Sequence, residues 1–236
     1  MKNQENNFFL LLLALAIFLG SVQIGNAIKT FSEKDRCVNV KGLAEKEVLA
    51  NKVTWPLMYK SIGNDLTGLY DEIKKTNSEI VSFLKEKGIS DEEIIVNASE
   101  IIDLKAERYG NNDYVPYRYN VTTVITVTSD KVELVRNLIK EQGELLKRGI
   151  AITSGDYRYQ VQYDFTDLNS IKPGMIEEAT KNARLAAEKF AKDSDSRLGK
   201  IRSANQGQFS IYDRDANTPH IKKVRVVTTV SYSLKK

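Results

Sequence analysis

The stretch VNVKGLAEKEVLANKVTW, Val38 to Trp55, alternates apolar and polar residues on both sides of a charged turn. Val38, Val40 and Ala44 fall on one face of an extended chain, and after a turn near Leu49 to Asn51 so do Val53, Trp55, Leu57 and Tyr59. A period of two with one apolar face is the pattern of a half-buried strand, so the stretch predicts a β-hairpin. Pro56 has no N–H to offer a ladder, which predicts a sheet edge or a bulge there.

Working outward toward the C-terminus, Leu66, Leu69, Tyr70, Ile73, Ile80 and Leu84 recur at helical spacing. Gly88 stands where a glycine ends a helix, so a helix is predicted from Asp65 to Lys87. Ile94, Val96, Ala98, Ile102 and Leu104 then alternate as one long strand. Across a loop from Glu107 to Tyr114, its hairpin partner carries Tyr117, Tyr119, Val121, Thr123, Ile125 and Val127. Asp130, with Glu133 three places on, signals the start of a second helix bearing Leu134, Val135, Leu138, Ile139, Leu145 and Leu146, ended by Gly149. Tyr157, Tyr159, Val161, Tyr163 and Phe165 alternate with polar residues as a strand with one aromatic face.

Pro173 suits the first turn of a third helix, whose alanine-rich face includes Met175, Ala179, Ala183, Ala187 and Phe190. A weaker strand near Lys200 to Tyr212 and a clear one with Val224, Val226, Thr228, Val230, Tyr232 and Leu234 finish the chain. The order ββ-α-ββ-α-β-α-ββ describes an α+β protein, with a mainly antiparallel sheet and helices packed on one face. Within it, the β-α-β-β-α-β portion from Lys52 to Phe165 matches the split ferredoxin-like arrangement. The last helix and hairpin either extend that sheet or form a second subdomain.

Working outward toward the N-terminus, residues 1–28 read differently. No charge appears from Phe8 through Ile28, and Gly25-Asn26-Ala27 offers a small-x-small cleavage site, the pattern of a secretory signal peptide. The same 21 residues, at about 1.5 Å of helical rise each, also reach the ~30 Å of a bilayer core, the length of a transmembrane anchor. Either way, residues 29–236 are expected to be exported, into the periplasm or onto the outer side of the inner membrane. If uncleaved, the segment makes the membrane a partner.

Chemistry-bearing residues are sparse. With Cys37 the only cysteine, neither an intramolecular disulfide nor a thiolate metal cluster can form. His220, the only histidine, sits in a Thr-Pro-His loop, so a multi-histidine metal site and a Ser-His-Asp arrangement are both out of reach. The glycines make no phosphate-binding motif. Asp213, Asp215 and Asn217 alternate like the start of a calcium loop but lack its glycine and distal glutamate. No enzyme, cofactor or metal is expected. The 35 basic and 31 acidic residues are mixed along the chain, which argues against a nucleic-acid partner.

Tyrosine is the one unusual abundance. Tyr109, Tyr114, Tyr117, Tyr119, Tyr157, Tyr159 and Tyr163 gather around two strands and a loop. Such rows serve as cross-strand packing, as a subunit interface, or as a glycan or peptide groove. Tyr117, Tyr119, Tyr157 and Tyr159 are the candidate interface or ligand surface.

Val38-Asn39-Val40-Lys41-Gly42, the following Ala-Glu-Lys-Glu-Val, Trp55-Pro56 and Ile62-Gly63-Asn64-Asp65-Leu66 resemble the start of the SIMPL-domain family, the YggE-like proteins of bacterial envelopes. Ala179 to Ala191, followed by Leu198-Gly199-Lys200-Ile201, resembles that family's alanine-rich helix and the strand entry after it. The resemblance spans Arg36 to Leu234. It implies a non-enzymatic envelope protein that self-assembles as a homo-oligomer and is linked to envelope or oxidative-stress tolerance, with no catalytic residue to carry over. The alternative is an envelope module that binds glycan or peptide on the tyrosine-rich surface.

Overall fold

A computed structural model describes residues 15–25, 36–106 and 116–235. Helix α1 is described over residues 15–25, and among the described residues no helix is long and apolar enough to cross a membrane. The remainder of the expected signal or anchor, the Asn26-Ala27 part of its cleavage motif, and the loop bearing Tyr109 and Tyr114 lie outside the described residues.

The protein is α+β, with its described strands in two sheets. In the first, β1 (Cys37–Leu49), β9 (Ile221–Lys235) and β7 (Arg197–Gln206) follow in that order, and β8 (Ser210–Asp213) also pairs with β9. In the second, the order is β3 (Ile94–Val96), β5 (Tyr119–Ser129), β2 (Lys52–Gly63) and β6 (Gln162–Asp164), with β4 (Glu100–Asp103) also on β5.

The hairpin expected of Val38 to Trp55 does not form, because β1 and β2 belong to different sheets. Its turn falls where expected, but the groups there bind elsewhere. The Ala50 N–H donates to the His220 carbonyl, the Asn51 N–H to the Asp164 carbonyl, and the Asn51 side chain binds Thr166 through both its amide and its carbonyl ends. Alternation dictates which face is buried, not which strand lies alongside.

The chain divides into two compact units. One comprises Glu47–Leu168 and Ile211–Lys223. Its strands pair antiparallel in the ferredoxin-like order, with β3 and β4 serving together as one edge. Helix α2 (Leu66–Glu86) follows β2, while α3 (Val132–Glu141) and α4 (Gly143–Lys147) follow β5. The core joins Val53, Trp55, Leu57 and Tyr59 to Ile80, Phe83 and Leu84 of α2, and to Val135, Leu138 and Leu145 beyond β5. Each such burial contributes roughly 1.5–3 kcal/mol.

Local signals explain the bounds of α2. The Asp65 carboxylate accepts the Thr67 and Gly68 N–H groups at its start. At its end Gly88 takes a φ of 95°, so that its own N–H reaches the Lys85 carbonyl and the Ile89 N–H reaches the Leu84 carbonyl.

Several expectations need correction. Lys131, not Asp130, is the N-cap of α3: the Ser129 hydroxyl accepts the Lys131 N–H and redirects the chain one residue later. The single second helix is two, broken at Gln142, and Leu146 is exposed. The aromatic strand is mostly absent. Tyr157–Tyr159 form a 3-10 turn capped by Asp156, just after Gly155 with a φ of 102°, and only Gln162–Asp164 remain extended in β6. β2 is interior to its sheet, yet Pro56 does mark a flaw. Its nitrogen faces the β6 side, where the ladder lapses between the Thr54–Gln162 pair and the isolated Met58–Thr153 bridge.

The other unit comprises Met1–Lys46, Asn169–Ser210 and Val224–Lys236. Here α5 (Leu168–Asp193) presses Ala183 and Ala187 against Val40, Val230 and Tyr232. Alanines bring the helix axis close to the sheet. Pro173 lies inside α5, beyond the first turn, and Phe190 is exposed rather than part of the packed face. The weak strand is split into β7 and β8, whose side chains are almost all exposed.

Candidate functional site

The edge formed by β3 and β4 shapes one wall of an apolar concavity in the unit of Glu47–Leu168 and Ile211–Lys223. Val96 pairs with Ile125, and Glu100 pairs with Thr122, so Asn97, Ala98 and Ser99 stand opposite only Thr123 and Val124. This bulge replaces the single long strand that was expected. The Asn97 side chain holds it by donating to the Val124 carbonyl and the Thr126 hydroxyl, and the Ser99 and Thr123 hydroxyls lie 2.8 Å apart. An extra residue reverses the side-chain alternation, so Ile101, rather than Ile102, joins Val96 on the α2 side.

There the edge and α2 enclose a cavity of about 760 Å³. Apolar side chains line most of it, including Tyr70, Ile73, Val96 and Ile101. Tyr70 is 64% exposed and Ile101 52% exposed, so the cavity opens outward as a groove. Its inner wall is tied by the Tyr59 hydroxyl, 2.8 Å from Asn77 Oδ1. Burial pushes the Tyr59 phenol upward, which keeps it neutral at physiological pH. Among the described residues Lys74 is the one charged side chain in the lining.

The four candidate tyrosines do not make a continuous row. Tyr117 is exposed just before β5, and Tyr119 is half-buried at its first position. Tyr157 stands 82% exposed on the 3-10 turn, with Tyr159 half-buried behind it. Each pair is organised by its own arginine. The Arg118 guanidinium lies 5.0 Å from the Tyr119 ring and donates from Nε and Nη2 to Asp103; Arg158 lies 5.2 Å from the Tyr159 ring and grips Asp156 in the same way. Hydrogen bonds from these arginines hold both carboxyls below the usual range. Arg158 and Tyr159, with Glu100 and Gln162, also line a polar cavity of about 380 Å³. It uses Thr122, Val124 and Thr126 of β5, the side of the strand opposite Val121 in the apolar groove.

Residues 38–232 match the model of the SIMPL family, described as a protein of unknown function (DUF541). The chain belongs to the SIMPL family. No curated protein matches it significantly. The matched span contains both cavities and all four candidate tyrosines of this SIMPL chain.

Elsewhere in the SIMPL domain His220, Asp213 and Asp215 are engaged structurally. His220 is half-buried, its ring 6.1 Å from Tyr163 in an edge-on arrangement, so it is more enclosed than a surface-loop histidine. Desolvation, followed by the nearby Arg136 charge, holds its pKa below the ordinary value. Asp215 accepts the Asn217 and Thr218 N–H groups and the Thr218 hydroxyl, and Asp213 pairs with Lys222, so both carboxylates brace the loop. Among the described residues no group of three or more His, Cys, Asp or Glu is placed to hold a metal ion. Cys37 is exposed.

The groove is hidden in the sequence because Tyr70, Ile73 and Val96 recur at the same spacing as buried core residues. The available signal was Asn97-Ala98-Ser99, a small polar interruption in an otherwise β-branched run.

Proposed function

We propose that this SIMPL protein is a non-enzymatic component of the bacterial cell envelope that assembles with copies of itself outside the cytoplasm. The observation that carries this reading is Tyr157, exposed on a turn whose neighbouring Arg158 is held rigid by Asp156. Tyrosine and arginine dominate the energetics of interfaces, and a preordered pair loses little freedom on contact. Tyr117, beside the Arg118–Asp103 pair, supplies a second such point. Carboxylates held ionised by bidentate arginines are poor proton acceptors, which favours contact over catalysis at this surface. The charge-free run from Phe8 to Ile28 supports export, as a cleaved signal or as a retained inner-membrane anchor. The link to envelope or oxidative-stress tolerance rests on the family resemblance.

Light scattering of the full chain at micromolar concentration is expected to report an oligomer. The double change Tyr117→Ser and Tyr157→Ser is expected to lower its mass while leaving the circular dichroism unchanged. A strict monomer, or an assembly indifferent to both changes, overturns this reading.

A second reading, an envelope module that binds glycan or peptide, is favoured by the polar cavity beside Tyr159, where Arg158, Glu100 and Gln162 present donors and acceptors. Binding there would be lost on Tyr159→Ala without any change in assembly.

A further inference from the structure

We infer that the groove between α2 and the β3–β4 edge binds a free long-chain carboxylate, a fatty acid, with its acyl chain along the sheet and its head at Lys74. This inference is independent of self-assembly, since the groove lies on the opposite side of β5 from the polar cavity and includes none of the four candidate tyrosines.

Volume and surface chemistry select the tail. A cavity of about 760 Å³ lies within the ~300–1,000 Å³ that encloses a small organic ligand. Its exposed apolar side chains come from two elements: Leu66 and Tyr70 from α2, and Val96 and Ile101 from the strand edge. The bulge at Asn97–Ser99 is what brings Val96 and Ile101 onto one side; a regular strand would have turned Ile101 away. A contiguous apolar surface left open to water marks a binding site.

Charge selects the head. Among the described residues Lys74 is the only ionisable cation in the lining, no carboxylate lines the cavity, and none pairs with the Lys74 ammonium. Asn77 accepts from the Tyr59 hydroxyl through Oδ1, which leaves its amide N–H groups as the donors at that wall. A cation and amide donors beside an apolar trough suit an anionic acceptor on a hydrocarbon chain, whereas a cationic amphiphile would meet like charge.

The test uses the full chain, held in an amphipathic polymer and exposed to palmitate that carries a photoreactive diazirine, with cross-linked peptides located by mass spectrometry. Labelling is expected on the α2 and β3–β4 peptides and to be displaced by excess unlabelled palmitate. Ile101→Asp places a charge in the apolar trough and is expected to reduce that labelling about tenfold or more. Because Ile101 is half exposed, the fold should persist; Tyr70→Asp, on the other element, repeats the test if circular dichroism shows otherwise. Lys74→Glu is expected to lower labelling by the palmitate probe but not by the matching long-chain alcohol. Labelling confined to Phe8–Ile28, or unchanged by both trough variants, overturns the site. Equal effects of Lys74→Glu on acid and alcohol overturn the choice of a carboxylate.

Discussion

Gly42 of β1 lies directly beneath Ala179 of α5, so close that a β-carbon on Gly42 would overlap the Ala179 carbonyl oxygen and come within 2.8 Å of the Ala183 methyl. Backbone cannot yield as a flexible side chain can. Gly42→Ala is therefore expected to cost at least the roughly 1–3 kcal/mol of an overpacked core, by prising the helix from the sheet. Denaturant melts check it, and an unchanged midpoint would contradict this packing.

Trp55 is 2% exposed in the midst of its core, whereas Cys37 is exposed and His220 half-buried. Trp55→Ala is expected to cost about 3–5 kcal/mol, Cys37→Ser less than ~0.5 kcal/mol, and His220→Ala about 1 kcal/mol or less. Comparable losses for all three in the same melts would refute the assignment.

Two glycines should respond in opposite directions to one substitution. Gly88 holds a φ of 95° at the end of α2, so Gly88→Ala is expected to destabilise by about 1 kcal/mol. Gly174 lies within α5 with nothing within 4 Å of a would-be β-carbon, so Gly174→Ala is expected to stabilise by about 0.5–1 kcal/mol. A raised thermal midpoint for Gly88→Ala would count against the first placement, and a lowered one for Gly174→Ala against the second.

Glu93 ties the start of α3 to the turn before β3. Burial alone would raise its carboxyl, but hydrogen bonds from the Ser129 hydroxyl, the Ser90 N–H, Lys131 and the Ser90 hydroxyl outweigh it and hold the pKa at about 2. A folded value below the unfolded 4.5 means that this stabilisation is complete above pH 4.5 and fades as the pH falls toward 2. Glu93→Gln is expected to cost about 1–2 kcal/mol at neutral pH and to flatten the acid limb of the stability profile in that window. A profile as steep as the parent's would exclude Glu93 as its source.

Faces were legible in the sequence, whereas partners and interruptions were not. Val53, Trp55, Leu57 and Tyr59, and Val224 to Tyr232, alternate because one side of each strand meets a core, and that requirement is written in every second residue. Asp65 and Gly88 revealed α2 because caps act through adjacent backbone. What stands across the ladder depends on distant residues: β1 beside β9 cannot be read from Val38–Leu49. The bulge that creates the groove rests on Asn97 reaching Val124 and Thr126, contacts invisible to local periodicity. The aromatic strand failed similarly, since an Asp156 cap and the positive φ of Gly155 outweigh alternating tyrosines.

The placement of β1 has a consequence for the order in which the molecule can be completed. Its strand neighbour, β9, is the last of the described strands, while the sheet built on β2, β5 and β6 closes within a central run of sequence. A chain emerging from the ribosome or from a translocation pore can thus finish the ferredoxin-like sheet early, but β1 must wait until β9 arrives. Loss of the C-terminal strand would strand the N-terminal one, and a stop before Ile221 should yield a product that proteases attack first at its opposite end.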